Sequence, residues 1–191
     1  MELTTVSVAL PFFILAVGIK LAFIGLHTWL PKNYANAPFY ISVILSAYTT
    51  KVGVYAFYKL LGHHQYLAYA GIITAIIGVL LALSQTKVRK LLSYHIISQV
   101  GYMIVALSVG TNIAEVGGLL HLANNIIYKG LLFMIIGAVI YATGEEDLIN
   151  LGGLAKKLPL ITIYTVIAAV SIAGVPFFNG HISKLLIKKG V

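Results

Sequence analysis

The 191-residue sequence predicts an all-α fold, a polytopic transmembrane helix bundle of about six spans with a discontinuous last helix. Three observations carry that prediction. Hydrophobic residues make up 60% of the chain and charged residues 9%, with a mean hydropathy of +0.97, whereas a soluble domain carries about 25% charge. Apolar stretches of roughly the 20 residues that a helix needs to cross a bilayer alternate with turn and charge clusters. In the last stretch Gly174, Pro176 and Gly180 interrupt the helical run, and a proline there removes a backbone donor and clashes with the preceding turn.

Taken in order, the first span runs from about Leu3 to Leu26 and leaves the bilayer at His27-Thr-Trp-Leu-Pro31, where an indole suits the interface and a proline ends the helix. The second covers about Phe39 to Leu61 and the third about Tyr66 to Leu83. The basic turn Lys87-Val-Arg89-Lys90 leads into the fourth, from about Leu91 to Val109. The fifth runs from about Ala114 to Tyr141, and the broken sixth from about Leu158 to Ile187. The first apolar run has no small-residue cleavage motif behind it and reads as a retained span.

Alternating the loops puts Lys32, Lys87, Arg89, Lys90, Lys156 and Lys157 on one side, against Lys59, Lys188 and Lys189 on the other. The positive-inside bias makes the first side cytoplasmic and places both termini outside, a multi-pass protein of the cell membrane. The acidic Glu145-Glu146-Asp147 also falls on the cytoplasmic side. A net charge of +8 sits in loops beside helices or within them, so lipid headgroups explain it and nucleic acid is not an expected partner. With no cysteine, disulfides, thiolate iron–sulfur ligation and Cys-based zinc sites are excluded. His63-His64 has no Asp, Glu or Cys beside it and reads as a solvated loop, not a metal site.

Four lysines, Lys20, Lys51, Lys129 and Lys184, fall inside these apolar stretches. A lysine at the centre of a membrane helix costs about 2.5–3.5 kcal/mol, so four cost roughly 10–14 kcal/mol before compensation. Ionisable groups at that depth face a bundle interior or a hydrated cavity and mark ion pathways. On the fifth span His121, Asn125 and Lys129 follow at i, i+4 and i+8 and form one polar stripe. Imidazole titrates near pH 6.5 and desolvation can lower a lysine by 3–5 pH units, so both residue types can exchange protons near neutrality. The alternative for His121 and Asn125 is hydrogen bonding to a neighbouring helix. His95, Ser98, Gln99 and Tyr102 share one face of the fourth span, where interhelical hydrogen bonding is favoured over a proton route. Thr50 is a further supporting polar group beside Lys51. For the sixth span the alternative is a simple proline kink with Lys184 snorkelling outward. Neither of the first two spans carries a carboxylate, and Glu115 is the one acid within a predicted span.

The ordered set Gly18-Ile-Lys20, Leu26-His-Thr-Trp-Leu-Pro31, Ala37-Pro38, Thr49-Thr-Lys51, Lys90-Leu-Leu-Ser-Tyr94, Ile97-Ser-Gln-Val-Gly-Tyr102, His121-Leu122, Tyr128-Lys-Gly-Leu-Leu-Phe133, Leu151-Gly-Gly-Leu154 and Gly174-Val-Pro-Phe-Phe-Asn-Gly180 with Ser183-Lys184 resembles the antiporter-like membrane subunits. That family joins complex I, the Mrp-type sodium/proton antiporters and the energy-converting membrane-bound hydrogenases. The resemblance covers nearly the whole chain. It implies that Lys20 is the lysine of a discontinuous helix in a first half-channel and that Lys51 links it to the centre. His121 and Lys129 then belong to the second half-channel, with Lys184 on its broken helix.

Family members have about fourteen spans in two inverted five-helix repeats. The chain resembles the last two helices of one repeat, to about residue 62, and the first four of the next, from about 63 to 191. The helix whose glutamate pairs with the first lysine is therefore expected on another polypeptide. Ala22 and Gly25 stand where many relatives carry prolines, and Asn125 where some carry a second histidine. The resulting expectation is a proton- or sodium-translocating subunit of a respiratory-type or antiporter complex, without redox chemistry, cofactor or metal of its own. Its expected partners are other membrane subunits, including one that supplies the acidic helix, together with lipids and H⁺ or Na⁺. The alternative is a non-conducting structural or assembly subunit. A quinone-reducing enzyme ranks below both because no redox-centre ligand set is present.

Overall fold

The computed structural model describes residues 2–62 and 64–191. They form helices α1 (Glu2–Leu21), α2 (Trp29–Asn36) and α3 (Phe39–Ile44), a π-helical turn (Leu45–Thr49), α4 (Thr50–Leu61), α5 (Gln65–Leu83), α6 (Val88–Ser108), α7 (Asn112–Thr143), α8 (Leu154–Lys157), α9 (Pro159–Ala173) and α10 (Asn179–Gly190). No strand occurs among the described residues, apart from one isolated bridge between Lys87 and Asp147. His63, expected in a solvated loop, lies outside the described residues; His64 stacks on Tyr66 with ring centroids 5.3 Å apart.

Helices α5, α6 and α7 are long and apolar enough to cross a membrane, and Leu10–Leu21 of α1 and α9 are shorter apolar helices. The second expected span is continuous from α3 through the π turn to α4. The sixth is split into α9 and α10. Helix α6 is central and more buried than α5 or α7. Ile96, Ile97, Val100, Met103, Ile104 and Leu107 fill the core from this helix. Lipid is as apolar as these side chains, so close backbone approach has to hold the bundle. At the α5–α6 crossing a β-carbon on Gly101 would fall 2.5 Å from the Gly71 carbonyl oxygen.

The first span departs from its expected end near Leu26. Helix α1 stops at Leu21, where Ala22 takes φ +56°. Ala22 N–H donates to Ile19 O at 3.1 Å and Phe23 N–H to Gly18 O at 3.0 Å. That pair of bonds is a Schellman cap with alanine in the left-handed position glycine usually takes. Trp29 Nε1–H donates to the same Ile19 O at 2.8 Å and uses its second lone pair. Lys20 therefore lies in the last helical turn before a break. Beyond it, Arg89 of α6 grips the end of α2 by donating to Tyr34 O, Ala37 O and Ser42 Oγ, and a cation suits that carbonyl-rich terminus.

The loop ends of α5–α6 and α7–α8 are tied by main-chain bonds, Val88 N–H to Glu146 O at 3.2 Å and Leu148 N–H to Thr86 O at 3.0 Å. Glu145 organises the second loop. Its carboxylate accepts from the Asp147 and Glu146 N–H groups at 2.9 and 3.0 Å and from Asn150 Nδ2 at 3.1 Å. These donors hold its carboxyl below the ordinary range, the Asp147 N–H first among them.

Candidate functional site

The interior site starts from the π turn. Its wider winding precedes Lys51, which is 2% exposed and donates to Ser46 O at 2.5 Å. One residue inserted into a helical turn releases carbonyls from their usual i→i+4 partners, and π segments concentrate at functional sites for this reason. The turn packs against α7, where Ala47 lies beside Gly130. Lys51 thereby comes within electrostatic reach of Lys129, His95 and His121.

Lys129 is fully buried on α7. Its Nζ lies 2.7 Å from His95 Nδ1 and 3.4 Å from Leu92 O, both on α6. Two turns earlier on α7, His121 is also fully buried. Its Nε2 is 3.0 Å from Gln99 Oε1 and 3.3 Å from Tyr128 Oη, and its Nδ1 is 3.1 Å from Ser183 Oγ. Because the Gln99 oxygen accepts, Nε2 carries a proton. The Ser183 hydroxyl also lies 3.2 Å from Gly180 O. Donating to Nδ1 it serves a neutral ring; turned to Gly180 it leaves its oxygen to accept from a protonated one. Asn124 donates to Asn179 O at 2.7 Å, and Asn125 to Tyr128 Oη at 3.0 Å. Tyr102 meets His121 edge-on, with centroids 5.3 Å apart.

The sixth span is broken as the sequence predicts. Gly174 takes φ +80° after α9, Gly174 N–H donates to Ser171 O and Val175 N–H to Val170 O, the same Schellman geometry as at Ala22. Pro176 lies in the link, and Gly180 is forced by contact, since a β-carbon there would collide with Ser171 O. Lys184 does not snorkel outward. Its stem crosses Gly174 and its Nζ donates to Ile172 O at the end of α9. It also lines a cleft of about 190 Å³ with Ala75, Ser98, Gln99 and Tyr102.

Lys51, Lys129 and Lys184 thus each rest on a main-chain carbonyl, and no carboxylate bonds to them among the described residues. Lys20 differs. Its stem lies over Gly53 of α4, two residues from Lys51, while the residue as a whole is exposed and no acid bonds to it among the described residues. Glu115 accepts from Tyr58 Oη at 2.5 Å. Thr50 Oγ1 and Asn125 Oδ1 are buried without a protein partner. The described residues include no group of three or more His, Asp or Glu that could hold a metal.

The sequence pattern assigns nothing to Tyr128, Ser183, Asn124 or the π turn. Asn124 and Tyr128 stand three and seven residues after His121 and could have been read from the same stripe. The π turn leaves no signal, for Leu45–Thr49 contains neither glycine nor proline.

Comparison with known proteins places this geometry among relatives. Residues 2–191 match the family model described as NADH:quinone oxidoreductase/Mrp antiporter, TM. The chain is 38% identical to a Na(+)/H(+) antiporter subunit of Alkalihalophilus pseudofirmus, over 90% of the chain and 37% of that protein. It is 34% identical to an NADH-quinone oxidoreductase subunit of Desulforudis audaxviator, over 96% of the chain and 39% of that protein. Among solved structures, a chain of the Mrp complex from Dietzia sp. DQ12-45-1b superposes with a TM-score of 0.91 at 31% identity, covering 98% of this chain and 36% of that one. A chain of an archaeal membrane-bound sulfane sulfur reductase gives 0.87 at 32% identity, covering 93% and 38%. The chain therefore spans less than two fifths of the length of these relatives.

Proposed function

Because the chain belongs to the NADH:quinone oxidoreductase/Mrp antiporter transmembrane family, we propose that it translocates protons or sodium ions as a membrane subunit of a larger respiratory-type or antiporter complex. Lys20, Lys51, His121, Lys129 and Lys184 carry the ion or its compensating charge. Thr50, His95, Ser98, Gln99 and Asn125 support them, and the break at Gly174, Pro176 and Gly180 admits Lys184. In this reading residues to about 62 close one antiporter repeat and the rest open a second. The loops near Lys32, Lys87–Lys90 and Lys156–Lys157 face the cytoplasm, and both termini face outward.

One observation carries the reading: two buried lysines, Lys51 and Lys129, and the half-buried Lys184 bond to backbone carbonyls, and no carboxylate bonds to them among the described residues. A buried lysine paired with an acid cannot lose its proton without stranding a buried charge. A lysine on a carbonyl can, because the neutral amine keeps the same donor bond. Two unit charges about 7 Å apart at an effective dielectric near 20 repel by roughly 2.4 kcal/mol, about a fiftyfold change in a protonation equilibrium. Protonation at Lys51 then disfavours it at Lys129, and a charge step passes along the row. The unpartnered Thr50 and Asn125 oxygens support a hydrated path, since buried polar atoms that protein does not reach are bonded by water.

A non-conducting scaffold is the second reading, favoured by the exposed Lys20 and the lack of an acid bonded to it among the described residues. In the conducting reading a neighbouring subunit supplies that carboxylate. Proteoliposomes holding the purified complex decide between them. Loss of ion flux in Lys51→Ala with the complex intact supports translocation, and wild-type flux supports the scaffold.

A further inference from the structure

Lys184 stands between two clefts. The first, shared with Ser98, Gln99 and Tyr102, leads through Gln99 to His121. The second, of about 230 Å³, is lined by Lys184 with Gly174, His181 and Lys188. At roughly 30 Å³ per molecule it has room for several waters. His181 Nδ1 lies 2.9 Å from Gly174 O. A carbonyl only accepts, so Nδ1 holds a proton and a neutral ring keeps a basic lone pair on Nε2. One turn separates His181 from Lys184 on α10. Both side chains bond carbonyls at the broken end of α9, where the helix dipole favours positive charge.

Resting on the translocation reading above, we propose that His181 is a proton-relay residue between Lys184 and the outer surface. The Lys184 ammonium gives one Nζ proton, through water in the second cleft, to His181 Nε2. The lysine becomes a neutral amine and the ring an imidazolium protonated on both nitrogens. The imidazolium then releases the Nε2 proton to water beside Lys188, and the starting tautomer returns. One proton enters, one leaves and no electron moves. The Nδ1–H bond to Gly174 persists throughout, so the helix break is undisturbed by each transfer. The charge on Lys188 opposes a lasting imidazolium and favours release. Other titratable groups facing this region are Lys184 on α10, His121 on α7 through Ser183, and Tyr102 on α6 across the first cleft; Ala173 and Gly174 of α9 contribute none.

The test is His181→Asn in the reconstituted complex. Asparagine keeps an amide donor near the Nδ1 position but takes no proton. Assembly should persist while proton transport falls by roughly tenfold or more, the scale of a lost acid–base group. The pH dependence of transport should change, and added imidazole should restore part of the rate. If the Asn protein does not assemble, His181→Gln makes the same comparison. Wild-type transport with an unchanged profile in the assembled variant overturns the relay and leaves His181 as a cap on the break. Full transport by Lys129→Ala defeats the underlying translocation reading instead, so the two failures are distinguishable.

Discussion

Lys129 Nζ and His95 Nδ1 lie 2.7 Å apart across the α6–α7 interface. A hydrogen bond needs one donor and one acceptor, so the pair holds at most one excess proton between them. It behaves as one site. His95→Ala should therefore lower transport by roughly tenfold or more, and adding His95→Ala to Lys129→Ala should cost almost nothing further. Transport rates of the two single variants and the double variant check this. Losses that multiply would show two separate roles.

The π turn sets the direction of Lys51. Deleting Tyr48, an exposed residue of that turn, restores α-helical winding and leaves the flanking segments nearly in phase, since five residues of π winding sweep about the same angle as four of α. Ser46 O is then taken by the Lys51 main-chain N–H, four residues on in the shortened helix, and is withdrawn from Lys51 Nζ. We expect an assembled complex with transport reduced by about tenfold or more. Retained transport would show that Lys51 does not need its carbonyl.

Ala22 tests the first break. A non-glycine residue at φ +56° carries about 1–2 kcal/mol of strain, and a β-branched residue fits the left-handed region worse. Ala22→Val should lower stability by about 1–3 kcal/mol, and Ala22→Gly should stay within about 1 kcal/mol of the parent because relief of strain is offset by a lost methyl group. Thermal unfolding in detergent measures both. Equal behaviour of the two variants would contradict the strained cap.

Which of these features the sequence discloses follows from what leaves a local mark. Lysines in apolar runs, the i, i+4, i+8 stripe from His121 to Lys129 and the Gly174–Pro176–Gly180 interruption are all visible, because composition and spacing alone define them. The break at Ala22 is obscured, since alanine favours the helix and only tertiary partners such as Trp29 on Ile19 O hold it open. The π turn and the Lys129–His95 bond depend on register between helices, which a single chain read in order does not contain. His95 and Gln99 are legible as interhelical bonding groups, and their partners prove to be the candidate carriers Lys129 and His121.

Glu145 gives a pH dependence. Its folded carboxyl is depressed below the ordinary value of 4.5 by N–H donors. The ordering it provides is complete above about pH 4.5 and is lost as pH falls through the depressed value. Protection of the Glu146 and Asp147 amides, taken relative to their intrinsic exchange at each pH, should fall as pH drops through that depressed value. Glu145→Gln should show the lower protection at every pH above that value. Protection independent of acid would reject this role.

The central claim is that the buried lysine row moves ions, and Lys129→Ala tests it most directly. Ion flux should be measured in proteoliposomes of the purified, intact complex, with subunit content checked on the same sample. The prediction is flux near background with all subunits present. Wild-type flux from the Lys129→Ala complex would contradict it.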